Sequence, residues 1–146
     1  MSLQEARDLG GFELVEHTAD IGVEATGETL AEALAWVAKG MFTVIADLDR
    51  VEPRAILEVS VQSADREALV VDWLNELLYR HETEGFLPTD FHVAIDETET
   101  KMEARCLGEP FDPLHHDLLT SVKAATYHEL SVSHQGGWRI QVILDV

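Results

Sequence analysis

Asp65-Arg66-Glu67-Ala68-Leu69-Val70-Val71-Asp72-Trp73-Leu74-Asn75-Glu76-Leu77-Leu78, then Gly85, then Phe91-His92-Val93-Ala94-Ile95, is the stretch that decides the fold. Before Gly85 the apolar residues recur at helical spacing. Leu69, Trp73 and Leu77, with Val70, Leu74 and Leu78 beside them, make a wide apolar face. Asp72, Asn75, Glu76 and Arg80 lie largely elsewhere on the circumference. Asp65 is suited to cap the helix start and Gly85 to stop it. Beyond Gly85 the period falls to two. Phe91, Val93 and Ile95, then Met102, Ala104 and Cys106, alternate with polar residues, and Asp96-Glu97-Thr98-Glu99-Thr100 reads as the exposed turn between them. Ser121 to Ser133 and Trp138 to Leu144 continue as strands, joined through the hairpin signal Gln135-Gly136-Gly137.

Upstream of this stretch lies one more helix. Thr29-Leu30-Ala31-Glu32 is a capping box, whose hydroxyl and carboxylate satisfy orphan N–H groups at a helix start. Leu30, Leu34, Val37, Met41 and Val44 then mark one apolar stripe running to about Ala46, and Asp47-Leu48-Asp49 ends it. Strands flank this helix. Phe12 to Glu16 and Ile21 to Thr26 alternate on one side, joined by His17-Thr18-Ala19-Asp20, and Ile56 to Val61 on the other. Helices confined to the first half do not alternate with strands as a parallel sheet requires. The expectation is a single α+β domain, two helices packed on a mixed, mostly antiparallel β-sheet. Residues 1–10 show no apolar period and read as a flexible tail, leaving 11–146 as the domain.

The chain of 146 residues is 46% hydrophobic, enough to bury a core and to exclude overall disorder. No stretch approaches the roughly 20 apolar residues of a membrane span. The first residues carry acids where a signal peptide would carry a positive charge, which points to a cytoplasmic protein. Cys106 is the sole cysteine; within an alternating run it reads as a small buried hydrophobe. With 28 acidic against 10 basic residues, the net charge is −18. Such a surface repels phosphates, so direct nucleic-acid binding is not expected. It suits a metal ion, or a partner whose basic surface meets RNA; solubility alone is the bland reading.

No phosphate loop, H-E-x-x-H, G-x-S-x-G or CxxC motif occurs. Three places can carry chemistry. His17-Thr18-Ala19-Asp20 holds ordinary turn residues, or a loop carboxylate able to act as a hard oxygen ligand. Ile143-Leu144-Asp145-Val146 follows an apolar strand; if Ile143 points into the core, Asp145 tends to that side, one residue from the carboxylate of Val146. A solvated tail is the alternative there. Gly108-Glu109-Pro110-Phe111-Asp112 with His115, His116 and Lys123 is the third. Adjacent histidines diverge on strand or helix, so two ligands to one ion is a minority reading. Lys123 is a surface charge, a counter-ion to carboxylates or a partner contact.

Taken in order, His17-Thr18-Ala19-Asp20-Ile21-Gly22, Gly27-Glu28-Thr29-Leu30, Val71-Asp72-Trp73-Leu74-Asn75-Glu76-Leu77-Leu78-Tyr79, Gly108-Glu109 with Asp112 and His116, Val122-Lys123-Ala124-Ala125-Thr126-Tyr127-His128 and Ile143-Leu144-Asp145-Val146 resemble the archease family. The likeness runs from about Phe12 to Val146; His115 departs from it, standing where the family more often has Lys or Arg. The resemblance implies a non-catalytic cofactor of the RtcB-type RNA ligase of tRNA splicing, promoting its guanylylation and multiple turnover. It implies a divalent metal held by Asp20, Asp145 and Val146, the last through its carboxylate or a main-chain oxygen. An all-oxygen site suits Ca²⁺ or Mg²⁺, with Mn²⁺ also accommodated. His17, Lys123 and His116 are further candidates for functional roles. Competing readings are a general chaperone or interaction module with an acidic face, and a metal-dependent phosphohydrolase.

Overall fold

The computed structural model describes residues 10–16 and 20–146, with Glu16 described by its backbone alone. The expected tail, 1–10, lies outside these residues apart from Gly10, and so does the His17-Thr18-Ala19 part of the first loop. Among the described residues the order is β1 (Gly11–Glu16), β2 (Asp20–Gly27), α1 (Leu30–Ile45), a 3-10 turn (Leu48–Arg50), β3 (Ala55–Gln62), α2 (Arg66–Glu84), β4 (Phe86–Ile95), β5 (Lys101–Pro110), β6 (Ala124–His134) and β7 (Trp138–Asp145).

Both helices begin and end where local chemistry directs. The Thr29 hydroxyl accepts the Glu32 N–H at 3.1 Å, and Glu32 reaches back to the N–H of Glu28 at 3.2 Å, one residue beyond the usual capping-box partner. Asp65 accepts the Ala68 N–H at 2.8 Å at the start of α2. Gly85 closes that helix at φ 66°, the left-handed conformation a Cβ disfavours, and its N–H returns to the His81 carbonyl. Trp73 on α2 is wholly buried and its indole N–H donates to the Leu34 carbonyl of α1 at 2.9 Å, so the largest core side chain also ties the helices together.

The strands divide into two sheets rather than one. Their orders are β1-β2-β7-β6 and β3-β5-β4, with every neighbouring pair antiparallel. α1 packs on β2 and β4, α2 on β6 and β3, and the core fills the space between. The α+β class and the two-helix layout hold; the strand content is greater than the pattern announces. β4 starts at Phe86, because Phe86, Leu87 and Thr89 are buried without alternation and Pro88 sits at a register shift against β5. Gly108 faces this shift, and a Cβ there would run into the backbone of Leu87 and Pro88. Cys106 is wholly buried on β5, and that burial pushes its thiol pKa up to about 12, which removes the thiolate a reactive cysteine needs.

Candidate metal-binding tip

The acidic residues at opposite ends of the sequence meet through strand register. Antiparallel pairing of β2 with β7 sets Asp20 directly opposite Asp145, and pairing of β6 with β7 sets Ala124 opposite Asp145 on its other side. Directly opposed residues share a face, with Cβ atoms about 4.5–5.5 Å apart. Val23 and Ala25 of β2, Val142 and Leu144 of β7 and Ala125 of β6 belong to the helix-packed core. Asp20, Asp145 and Ala124, each one residue out of step with these, lie on the opposite face. Asp145 therefore does share a face with Ile143, as alternation requires, but this is the face away from the helices. Ile143 is buried there without joining the main core, while Asp145 is exposed and Asp20 half-buried.

Two more candidates converge on the same end. The Lys123 N–H donates to the Asp145 carbonyl at 2.7 Å, and the Lys123 side chain is exposed. Val146 is half-buried against the edge of the core. Asp20, Asp145, Val146 and Lys123 thus gather where β2 starts, β7 ends and β6 starts. His17 lies outside the described residues. Like charges directly opposite each other destabilise a sheet, and a cation between them reverses the sign. Among the described residues no three His, Cys, Asp or Glu side chains cluster at metal-ligand spacing. Two carboxylates with a main-chain oxygen would make an all-oxygen, hard donor set, the chemistry that suits Ca²⁺, Mg²⁺ or Mn²⁺.

His116 stands apart from this group. Its side chain is buried and bonded at both nitrogens: Nδ1 accepts the Asp112 N–H at 2.8 Å and Nε2 meets Glu109 Oε1 at 2.7 Å. A nitrogen that accepts an N–H carries no proton of its own, so these bonds assign the neutral Nε2–H tautomer, donating to Glu109. Glu109 also takes the Arg54 guanidinium and, at 3.1 Å, the Glu52 N–H. Those partners, Arg54 foremost, hold its carboxyl down at about 2. This clamp, buried at Glu109 and His116 and covered by the exposed Arg54, joins β5, the segment before β3 and the loop after β5. His115 diverges from it and is exposed, 3.8 Å from the Asp112 carboxylate. The clamp fixes the near end of the loop, whose far end, at Leu119 and Thr120, bonds the carbonyls of Ile45 and Val44 on α1 before reaching Lys123.

One residue at the site escaped the sequence pattern. Asn75 of α2, assigned away from the packing face, instead bonds both backbone groups of Ala125: Oδ1 accepts its N–H at 2.8 Å and Nδ2 donates to its carbonyl at 3.2 Å. Its only sequence signal is a short amide inside a helix, where Asn is a poor helix former.

A small acidic α+β domain with opposed carboxylates at the end of one antiparallel sheet is the class that fold and site define. Residues 12–146 match the model of the Archease protein family. The chain is 41% identical over 129 residues to Protein archease of Sulfurisphaera tokodaii, covering 88% of this chain and 93% of that one. It is 40% identical over 139 residues to Protein archease of Pyrococcus abyssi, covering 92% and 98%. The solution structure of Methanobacterium thermoautotrophicum protein 1598 superposes with a TM-score of 0.79 at 35% identity, over 93% of this chain and 99% of that one. The chain belongs to the archease family.

Proposed function

We propose that this protein is a non-catalytic cofactor of an RtcB-type, GTP-dependent RNA ligase, acting in tRNA splicing and RNA repair by promoting the ligase's guanylylation and multiple turnover. The observation that carries the reading is the register that seats Asp20 against Asp145 at one end of the sheet. These carboxylates, with main-chain oxygen of Val146, would hold Ca²⁺, Mg²⁺ or Mn²⁺. A bound divalent ion supplies charge stabilisation to a phosphoryl group. The protein's own residues set the two carboxylates opposite each other at one end of the sheet, tie the Lys123 backbone to the Asp145 carbonyl and hold Asp145 from both neighbouring strands. A net charge of −18 favours a basic protein partner over RNA itself.

The test is protein-bound GMP measured over many turnovers, with ligase, GTP and Mn²⁺. Stimulation by sub-stoichiometric protein is expected, and its loss in Asp20→Ala and Asp145→Ala with unchanged far-UV spectra. Normal stimulation by either variant rejects the metal tip. Absence of stimulation by the wild type, with a ligase competent for one turnover, shifts weight to a general interaction module.

A further inference from the structure

Among the described residues β6 is an edge strand, paired only with β7. Its pairing comes in two pieces, Ala124 to Thr126 and Ser131 to His134, separated by a register shift in which Glu129 takes φ 53°. The first piece is a short ladder cut off from the rest of its strand by that irregularity. It is also the piece that carries the tip, since Ala124 opposes Asp145 and Lys123 bonds the Asp145 carbonyl just before it.

An edge strand leaves outward N–H and C=O groups unpaired. Ala125 is 4% exposed, so its outward groups cannot turn to water. Asn75 takes both, with bonds of 2.8 and 3.2 Å. A primary amide carries an acceptor and a donor side by side, as the edge of a neighbouring strand does. Its mount is rigid, because Trp73, Leu74, Leu77 and Leu78 around it on α2 are buried. One residue further along β6, Thr126 Oγ1 donates to the Ile143 carbonyl of β7 at 2.9 Å.

We propose that Asn75 is a positioning residue for the acidic tip: its amide replaces a missing strand and holds Lys123 and Ala124 against Asp145. Its role in metal binding rests on the proposed function; its role in ordering Lys123 does not. Aspartate keeps the acceptor but loses the donor and sets a charge against the Ala125 carbonyl. Leucine keeps the volume and loses both bonds.

Asn75→Asp and Asn75→Leu are compared with Leu69→Ala, a truncation of a wholly buried core residue on the same helix. In metal-free protein, amide exchange at Lys123 and Ala125 is expected to accelerate about tenfold or more relative to Ile140 and Val142 in both Asn75 variants, the size of one lost hydrogen bond. Leu69→Ala should accelerate all of these amides together. Titration with Mn²⁺ alone should show weaker binding by about tenfold in the Asn75 variants and unchanged binding in Leu69→Ala. Unchanged relative protection at Lys123 overturns the proposal. So does selective exchange at Lys123 with wild-type Mn²⁺ affinity, which leaves the amide a structural pin only. A wild type that binds no Mn²⁺ rejects the metal reading of the tip, while the exchange comparison still decides what Asn75 holds in place.

Discussion

Two aspartates that face each other across β2 and β7 oppose folding unless something lies between them, and this gives Asp145 a double signature. Without divalent ion, Asp145→Asn removes a like charge and should leave the melting temperature at or above that of the wild type, by about 0.2–1 kcal/mol of stability. With divalent ion at about 100 times its Kd, the wild type gains about 2.7 kcal/mol and the variant little. Thermal melts with EDTA and with Mn²⁺ read both. A variant that is less stable in EDTA and gains as much from Mn²⁺ as the wild type would reject the carboxylate pair as the ion's seat. Individual roles were legible to different degrees. Cys106 read as a buried small hydrophobe because its neighbours alternate, a local property. The partners of Glu109 did not, because Arg54 lies 55 residues away and meets it only through strand pairing.

At the scale of elements, the clamp on Glu109 predicts how the loop from Phe111 to Lys123 responds to acid. In the unfolded chain this carboxyl takes its proton near the ordinary 4.5; in the folded protein it resists until about 2. Between those values the unfolded state binds more protons, so stability falls as pH falls, and the contribution is complete only above 4.5. Glu109→Gln should lower stability at neutral pH and flatten this part of the curve, read as urea midpoints from pH 6 to about 2. An acid limb of unchanged slope would show that the clamp is not coupled to folding. Elements with a helical period were readable nearly to the residue, since caps and stripes are local. The alternation marks only the second half of β4, because Pro88 and the buried run from Phe86 to Thr89 break it. Asn75 falls outside the apolar stripe because a period marks apolar residues, whereas a buried backbone edge calls for a polar one.

For the whole molecule, the division into two sheets was hidden because strand pairing is long-range: β2 pairs with β7 across more than a hundred residues, and no local pattern encodes that. The same pairing brings the tip together, so the site was legible as separate acidic boxes while its geometry was not. Charge acts at this scale too, and in two directions. A net −18 on 146 residues repels itself, and added salt relieves that by screening, so the isolated protein should become more stable as NaCl rises. Attraction to a basic partner is screened by the same salt, so the association rate with the proposed ligase partner should fall about tenfold or more between low and high ionic strength. Melting temperature and stimulated GMP transfer, measured along one NaCl series with the ligase's unaided turnover as reference, should therefore move oppositely. Stimulation that holds level while the melting temperature climbs would mean that the charge serves solubility alone and that the partner is recognised through uncharged surface.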